Sequence, residues 1–352
     1  MLIKSAEHLW LYTLIMSTSV LLGQVCLLPQ AFKSIKPCKF SKEDCIEHIK
    51  PLFVLSIAVI ASTLYTVFDK TLLGWFFPDQ KEQVAYYEYS YKIIQIPTSI
   101  IVVVGTVLFP RSCACYAKND MEGMKKYFNL SIYFTFFIAF GAILGLIAVS
   151  DLFVVEYYGD AFAVCGNIIK CLSPIILILS LGEAIRTQYL IPMGKDMAYI
   201  IITAIIALLN IALSCILIPV IGIYGAIIGT VSAELVGTVS QTIVCRKNID
   251  FKKMFLSMIP FVIAAGIMYG TIIFVQRWFN DSTIDLIIQI IIGGTVYVLV
   301  VIGLFLLRKD YRNNIINYVK KKLKKGNESK QEPLVEISIE ESNEKKEVLE
   351  NE

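Results

Sequence analysis

The chain has 352 residues, of which 56% are hydrophobic, 12% aromatic and 17% charged, and its formal net charge is +3. Soluble domains carry nearer 25% charged residues, and 21 of the 61 charged residues here fall in 308–352. A mean hydropathy of +0.67 kept up over most of the length excludes a soluble enzyme, a secreted disulfide-bonded domain and a nucleic-acid-binding protein.

What remains is an all-α protein of several membrane spans. A hydrocarbon core of about 30 Å takes roughly 20 apolar residues per helix. Nine stretches are predicted to be spans: Leu9–Leu28, Leu52–Phe68, Ile93–Phe109, Phe128–Val149, Val164–Ile191, Met197–Ile218, Ile223–Val244, Phe255–Val275 and Ile287–Leu307. No run alternates with the two-residue period of a membrane β-barrel. Helices satisfy their own backbone hydrogen bonds in lipid. The connections are predicted to be short except Pro29–Pro51 and Thr71–Tyr91.

Basic residues set the expected orientation. The segments 29–51, 110–127, 245–254 and 308–325 and the turn at Arg186–Lys195 hold 23 Lys and Arg. The alternate connections and the N-terminus hold four: Lys4, Lys70, Lys81 and Arg277. The basic side is expected to be cytoplasmic, which puts the C-terminus inside and, with nine spans, the N-terminus outside. Lys309–Lys325 is a basic amphipathic stretch suited to anionic lipid or to a stop-transfer role. Residues 326–352, rich in Glu, Lys, Ser and Asn, have the composition of disorder.

Nine cysteines, most inside apolar runs, read as small buried hydrophobes. Cys38, Cys45 and His48 match no zinc spacing, so no metal site is expected, and no cofactor.

Charges at bilayer depth are costly and face a cavity or a partner. The candidates are Asp69 and Lys70 at the outer end of the second span, Lys92 and Arg111 at the two ends of the third, Lys170, Glu183 and Arg186 in the fifth, and Glu234 in the middle of the seventh. Asn210 is a polar residue of the sixth. Glu183 and Arg186, three apart, are placed to pair on one helix face. Lys92 and Arg111 are placed to snorkel to the interfaces. Glu234 has no basic residue within a turn in sequence, so a role in transport or a cavity network competes with a structural hydrogen bond. Pro97, Pro110, Pro174, Pro192, Pro219 and Pro260 mark bends or ends. Gly222, Gly225 and Gly229 form a small-residue face for close packing. No HExxH, GxSxG or filter-like glycine run occurs, so a secondary carrier or a lipid-linked-substrate flippase is favoured over an enzyme or a channel.

Three segments resemble the polysaccharide flippases of the multidrug/oligosaccharidyl-lipid/polysaccharide exporter superfamily. The first, at 56–97, carries Tyr65, Asp69, Lys70, Leu73 and Gly74, followed by Val84, Tyr86 and Tyr87. The second, at 109–120, carries Pro110 and Arg111. The third, at 183–237, carries Gln188, the turn Ile191–Lys195, Asn210, Ile218-Pro219, Gly225-Ala226 and Ser232-Ala233-Glu234. The resemblance covers about residues 5–305.

It implies a family of twelve to fourteen helices in two six-helix lobes, which moves undecaprenyl-diphosphate-linked oligosaccharide by ion-coupled alternating access. By helix order the first span matches the family's sixth and the rest its seventh to fourteenth, with no counterpart for the first five. The expected organisation is an orphan N-lobe helix and basic loop (1–50), a six-helix C-terminal lobe (51–250), two additional spans (251–307) and a cytoplasmic tail (308–352). The expected partners are the lipid-linked oligosaccharide, the bilayer and a separate N-terminal lobe or second copy.

The expected cationic cavity is Lys70, Lys92, Arg111, Lys170 and Arg186, since a diphosphate takes charge-assisted hydrogen bonds, best from Arg. Asp69, Glu183 and Glu234 are expected in ion coupling or charge balance, and Tyr65, Gln188 and Asn210 in the polar lining. Tyr65, Tyr86, Tyr87 and Tyr91 stack on sugars at the outer mouth or form an interfacial aromatic belt. A cation–drug antiporter of the same superfamily and a non-transporting fragment are the alternatives. Five span-depth cations against three anions favour the anionic substrate.

Overall fold

In a computed structural model the described residues are 9–34, 67–278 and 282–307, with scattered positions between 41 and 63. The chain divides into two units, Met1–Val54 and Leu55–Glu352.

The first unit contains α1 (Leu9–Ser34), with Pro29 inside it and Lys33 in its last turn. Its apolar section, Thr13–Pro29, carries the first expected span.

The second unit begins, for most of its described residues, at α2 (67–76), the end of the second expected span. Tyr65, Cys38, Cys45, His48 and the tail from 308 lie outside the described residues. α3 (Glu82–Ala117), α4 (Met121–Tyr158), α7 (Asp196–Ile221), α8 (Ile223–Val244), α9 (Phe251–Gln276) and α10 (Thr283–Leu307) follow, with Val164–Leu190 between α4 and α7. These seven segments are long and apolar enough to cross a membrane. No strand occurs among the described residues.

Two expectations need correction. The connection Thr71–Tyr91 is mostly helix: α2 runs to residue 76 and α3 starts at Glu82. Polar residues there do not end a helix; they amphipathically continue it, and Tyr87 and Ser90 are buried on its inner face. At 36 residues, α3 rises about 54 Å, well past a hydrocarbon core of about 30 Å. Likewise α4 continues to Tyr158, through most of the expected loop at 150–163.

The fifth span is also not one helix. It is α5 (Val164–Leu172), α6 (Ile175–Ile185) and a π-helical turn, Arg186–Leu190. Pro174, which lacks a backbone N–H, sits at the first junction, and Gly194, at φ +67°, in the turn that follows Pro192. Pro97, Pro110, Pro219 and Pro260 stay inside helices.

Two buried clusters hold the unit together. Leu73, Ile94, Ile168, Ile169, Leu172, Ile175 and Ile176 join α2, α3, α5 and α6. Phe128 and Phe136 of α4, Tyr189 of the π turn, Phe261 and Met268 of α9 and Tyr297 of α10 form the other. Gly222, at φ +58° and ψ −133°, is the whole connection between α7 and α8. Beyond it the two helices close tightly, because a Cβ on Gly225 would stand 2.5 Å from the Leu217 carbonyl carbon and 2.6 Å from the Ile218 nitrogen. Polarity runs opposite to that of a soluble fold: Val220 and Leu208 are 77% and 69% exposed, whereas Asp69 and Asn210 are 1% and 0% exposed. A surface of that kind is solvated by lipid.

Candidate functional site

Asp69, on α2, is surrounded by donors from three other helices. Ser214 of α7 donates to Oδ1 at 2.7 Å. Thr230 of α8 donates to Oδ2 at 2.6 Å, and Asn210 of α7 donates there at 3.2 Å. The Tyr87 hydroxyl of α3 lies 3.5 Å from the same oxygen and 3.2 Å from Thr230 Oγ1. Asn210 and Ser214 are one turn apart, so both project from one face of α7. The close approach of α7 and α8 then brings Thr230 to the same point.

All of these neighbours are neutral. Lys70, adjacent in sequence, pairs with Glu88 of α3 instead. Hydroxyls rotate and offer lone pairs as well as protons, and Asn210 Oδ1 is buried without a hydrogen-bond partner. The cluster therefore presents carboxylate, amide and hydroxyl oxygens at one buried point. Among the described residues no cation pairs with this carboxylate, and a set of oxygens of that kind has the chemistry to accept a proton or an oxygen-liganded monovalent cation.

Glu234 is buried on α8 and, with Asp69 and Glu88, lies within electrostatic reach of Tyr91. Tyr91 stacks on Tyr87 with ring centroids 6.1 Å apart. Asp69 thus touches one member of this tyrosine pair, and Glu234 lies within electrostatic reach of the other.

Gln188 belongs to a second polar junction. Its Nε2 donates to the Gly105 carbonyl of α3 at 3.2 Å, and its Oε1 accepts from Ser112. A Cβ on Gly105 would meet Thr187 Oγ1 at 3.3 Å, so glycine lets the π turn sit against α3. Glu183 and Arg186 pair as their spacing indicates. Arg186 also reaches the Tyr199 hydroxyl at 3.4 Å and covers its ring at 5.3 Å.

The five expected cations are not brought to one place. Lys70 and Lys92 share Glu88, the latter at 3.5 Å. Lys92 also lies over the Tyr89 ring at 5.2 Å. Lys170 pairs with Asp151 of α4, Arg186 with Glu183, and Arg111 is exposed on α3. Glu88 and Asp151 remove the five-to-three surplus of cations. Both escaped the sequence reading because they lie in stretches taken as connections. Ser214 and Thr230 escaped it because hydroxyl residues in apolar helices are ordinary; the i, i+4 spacing of Asn210 and Ser214 was the available signal.

Residues 12–167 match the family described as "Polysaccharide biosynthesis protein". A protein described as a low-salt glycan biosynthesis flippase, Agl15, of Haloferax volcanii is 23% identical over 318 residues, 86% of this chain and 64% of its own length. One described as an O-antigen transporter of Shigella dysenteriae is 21% identical over 198 residues, 56% of this chain and 48% of its own. Among solved structures, the lipid II flippase MurJ in an inward closed conformation superposes with a TM-score of 0.65 at 20% identity, over 82% of this chain and 61% of that one.

The chain is similar to proteins described by polysaccharide biosynthesis, glycan flipping and O-antigen transport. It is a multi-pass membrane protein with a flippase fold, and it spans less than two thirds of the length of these relatives. The family match runs from α1 into α5 and includes Asp69, Lys70, Tyr87 and Glu88; Asn210, Ser214 and Thr230 lie beyond it.

Proposed function

We propose that this chain serves in moving an oligosaccharide, linked to undecaprenyl diphosphate, from the cytoplasmic to the outer leaflet for cell-surface polysaccharide synthesis, by ion-coupled alternating access. The observation that carries the coupling is the Asp69 carboxylate, held by α2, α3, α7 and α8 with no cation paired to it among the described residues. Filling or emptying it with a proton or a monovalent cation changes how firmly α2 is tied to the α7–α8 pair. That supplies the bistable element that a switch requires.

In this reading Glu234, beside the Tyr87–Tyr91 pair, and Glu183, paired with Arg186, balance charge. Arg111, Arg186, Lys70, Lys92 and Lys170 supply the cations for the diphosphate, and Gln188 and Asn210 belong to the polar lining. The basic segments face the cytoplasm, with the C-terminus inside and the N-terminus outside. Residues 51–250 form one lobe and 251–307 two further spans. A separate N-terminal lobe or a second copy supplies the other wall of the cavity. The reading involves no covalent chemistry. The relatives, described as glycan and lipid II flippases and an O-antigen transporter, favour it over a cation–drug antiporter.

Complementation of a flippase-null strain, with and without a co-expressed N-terminal lobe, tests it. The intact chain is expected to restore surface polymer and Asp69→Asn to abolish it. Full export by Asp69→Asn would end the coupling role, and full export by Arg186→Ala together with Lys70→Ala would end the cationic-cavity role.

A further inference from the structure

At one end of the bundle a cavity of about 290 Å³ opens between the start of α4 and the α8–α9 connection. It is lined by Lys125 of α4, Lys247 of the connection and Lys253 of α9, with the amides of Asn129 and Asn248. Its floor is Tyr189, whose hydroxyl donates to the Asn248 carbonyl at 3.3 Å. The one acid in the lining, Asp250, is turned to another use: its Oδ1 accepts from the backbone N–H of Lys253 at 3.1 Å and caps α9. None of the three lysines has a carboxylate partner among the described residues. Three lysines, one from α4 and two from the α8–α9 region, thus line one concave site beside the positive end of α9.

Lysines gathered around a cavity, with no carboxylate paired to them among the described residues, favour the entry of an anion. The volume takes a phosphate group with its substituent, and two amides offer it further hydrogen bonds. The lysines belong to the two basic segments 110–127 and 245–254, so the mouth lies at the level of lipid head groups, where basic pockets between helices hold anionic lipid.

We infer that Lys125, Lys247 and Lys253 form a phosphate-binding site, separate from the Asp69 cluster, that holds the phosphate of an anionic phospholipid head group or a free phosphate. The site does not depend on the transport reading, because its test measures binding and not export.

The purified full chain would be placed in nanodiscs of phosphatidylcholine with one quarter phosphatidylglycerol and then extracted into detergent. Retained phosphatidylglycerol would be counted by native mass spectrometry, and in parallel the melting temperature in lipid-free detergent would be followed with added inorganic phosphate. The chain is expected to retain phosphatidylglycerol, and Lys125→Ala/Lys247→Ala/Lys253→Ala to retain it on the order of a hundredfold less, three surface cations having been removed. The matching triple Lys→Arg variant should hold it as the native chain does, and so should Lys118→Ala/Lys126→Ala, which alters basic residues outside the cavity. Retention lost in the alanine triple with no effect of inorganic phosphate identifies the lipid as the source. A rise in melting temperature with phosphate that the alanine triple abolishes identifies a free phosphate. Equal retention and an equal phosphate response in the native chain and the alanine triple would overturn the site. Should the alanine triple not fold, Lys253→Gln alone gives the same reading at a smaller fold-change.

Discussion

Thr230 donates its hydroxyl to Asp69 Oδ2 at 2.6 Å across 161 residues of sequence, the longest-range of the four contacts that hold this carboxylate. With Ser214 on the other oxygen it makes Asp69 a meeting point of α2, α7 and α8. Asp69→Ala takes the acceptor from the Ser214 and Thr230 hydroxyls, leaves Tyr87 and the Asn210 amide only Thr230 Oγ1, and should lower stability by about 1–3 kcal/mol. Asp69→Asn keeps the shape and should cost less, yet remove any stabilisation by sodium or by protonation. Thermal unfolding of both variants with and without sodium, across pH, checks this: a response to ion or pH that survives in Asp69→Asn would place the coupling site elsewhere.

Gly229 and Gly225 lie on one face of α8 but should respond differently to a methyl group. At Gly229 a Cβ would meet Ser214 Oγ at 2.7 Å, so Gly229→Ala should push that hydroxyl off Asp69 and reduce coupling while leaving the fold intact. At Gly225 the obstacle is backbone, which has nowhere to go, and Gly225→Ala should cost about 1–3 kcal/mol or more. Melting temperature and export measured together separate the two; equal loss of stability in both would contradict the packing described.

Gln188 and Ser112 pin the π turn to α3. Gln188→Leu takes the acceptor from the buried Ser112 hydroxyl and the second donor from the Gly105 carbonyl, and is expected to cost about 1–3 kcal/mol. Ser112→Ala/Gln188→Leu, which removes both ends of one bond, should cost less than the two single losses combined. A double-mutant cycle on thermal unfolding measures the coupling, and additive values would mean that the bond does not contribute.

Glu88 holds two lysines on the partly exposed outer part of α3. Its side chain is 31% exposed and that of Lys92 48%, so solvent screens the pairs. Glu88→Gln should therefore change stability by less than about 1 kcal/mol. Its larger effect should fall on affinity for anionic substrate, since it frees Lys70 and Lys92. Tighter binding of a diphosphate lipid by Glu88→Gln is the expected outcome, and unchanged binding would remove those lysines from the substrate site.

Cys245 follows the last residue of α8 and is fully buried, whereas Cys171 and Cys215 are exposed. Burial pushes the Cys245 thiol up, so as pH rises its reactive thiolate forms later than that of an exposed cysteine. In detergent, a small thiol reagent should label Cys171 and Cys215 first and Cys245 only at higher pH or after unfolding. Peptide mass mapping reads the order, and early labelling of Cys245 would show that the α8–α9 connection opens.

The spans were readable because each is a long apolar run and lipid leaves a chain little other choice. Glu183 and Arg186 were readable as a pair because three residues on a helix fix their distance. Helix ends were not, because Tyr86 to Tyr91 and Asp151 to Tyr158 are polar enough to look like connections while still helical. The break at Pro174 was marked by its proline, but the π turn after Ile185 has no sequence sign of that kind. Asp69 was legible as a candidate and its setting was not, because Asn210, Ser214 and Thr230 approach it only through the packing of α7 on α8. The same limit hid the pairs Glu88–Lys70 and Asp151–Lys170, 18 and 19 residues apart, whereas Glu88–Lys92, four apart on one helix, had a spacing that periodicity pairs once that stretch is read as helix.

Gly222 joins α7 to α8 with one residue in a conformation that other amino acids adopt only under strain, and immediately beyond it Gly225 presses against the α7 backbone. Two rods hinged so tightly at one end and in contact beside the hinge behave as a single lever. Under the proposed coupling, motion at the Asp69 cluster comes from α2 and α3 leaving that lever, and a cross-link between α7 and α8 should leave such motion free where one between α2 and α7 would stop it.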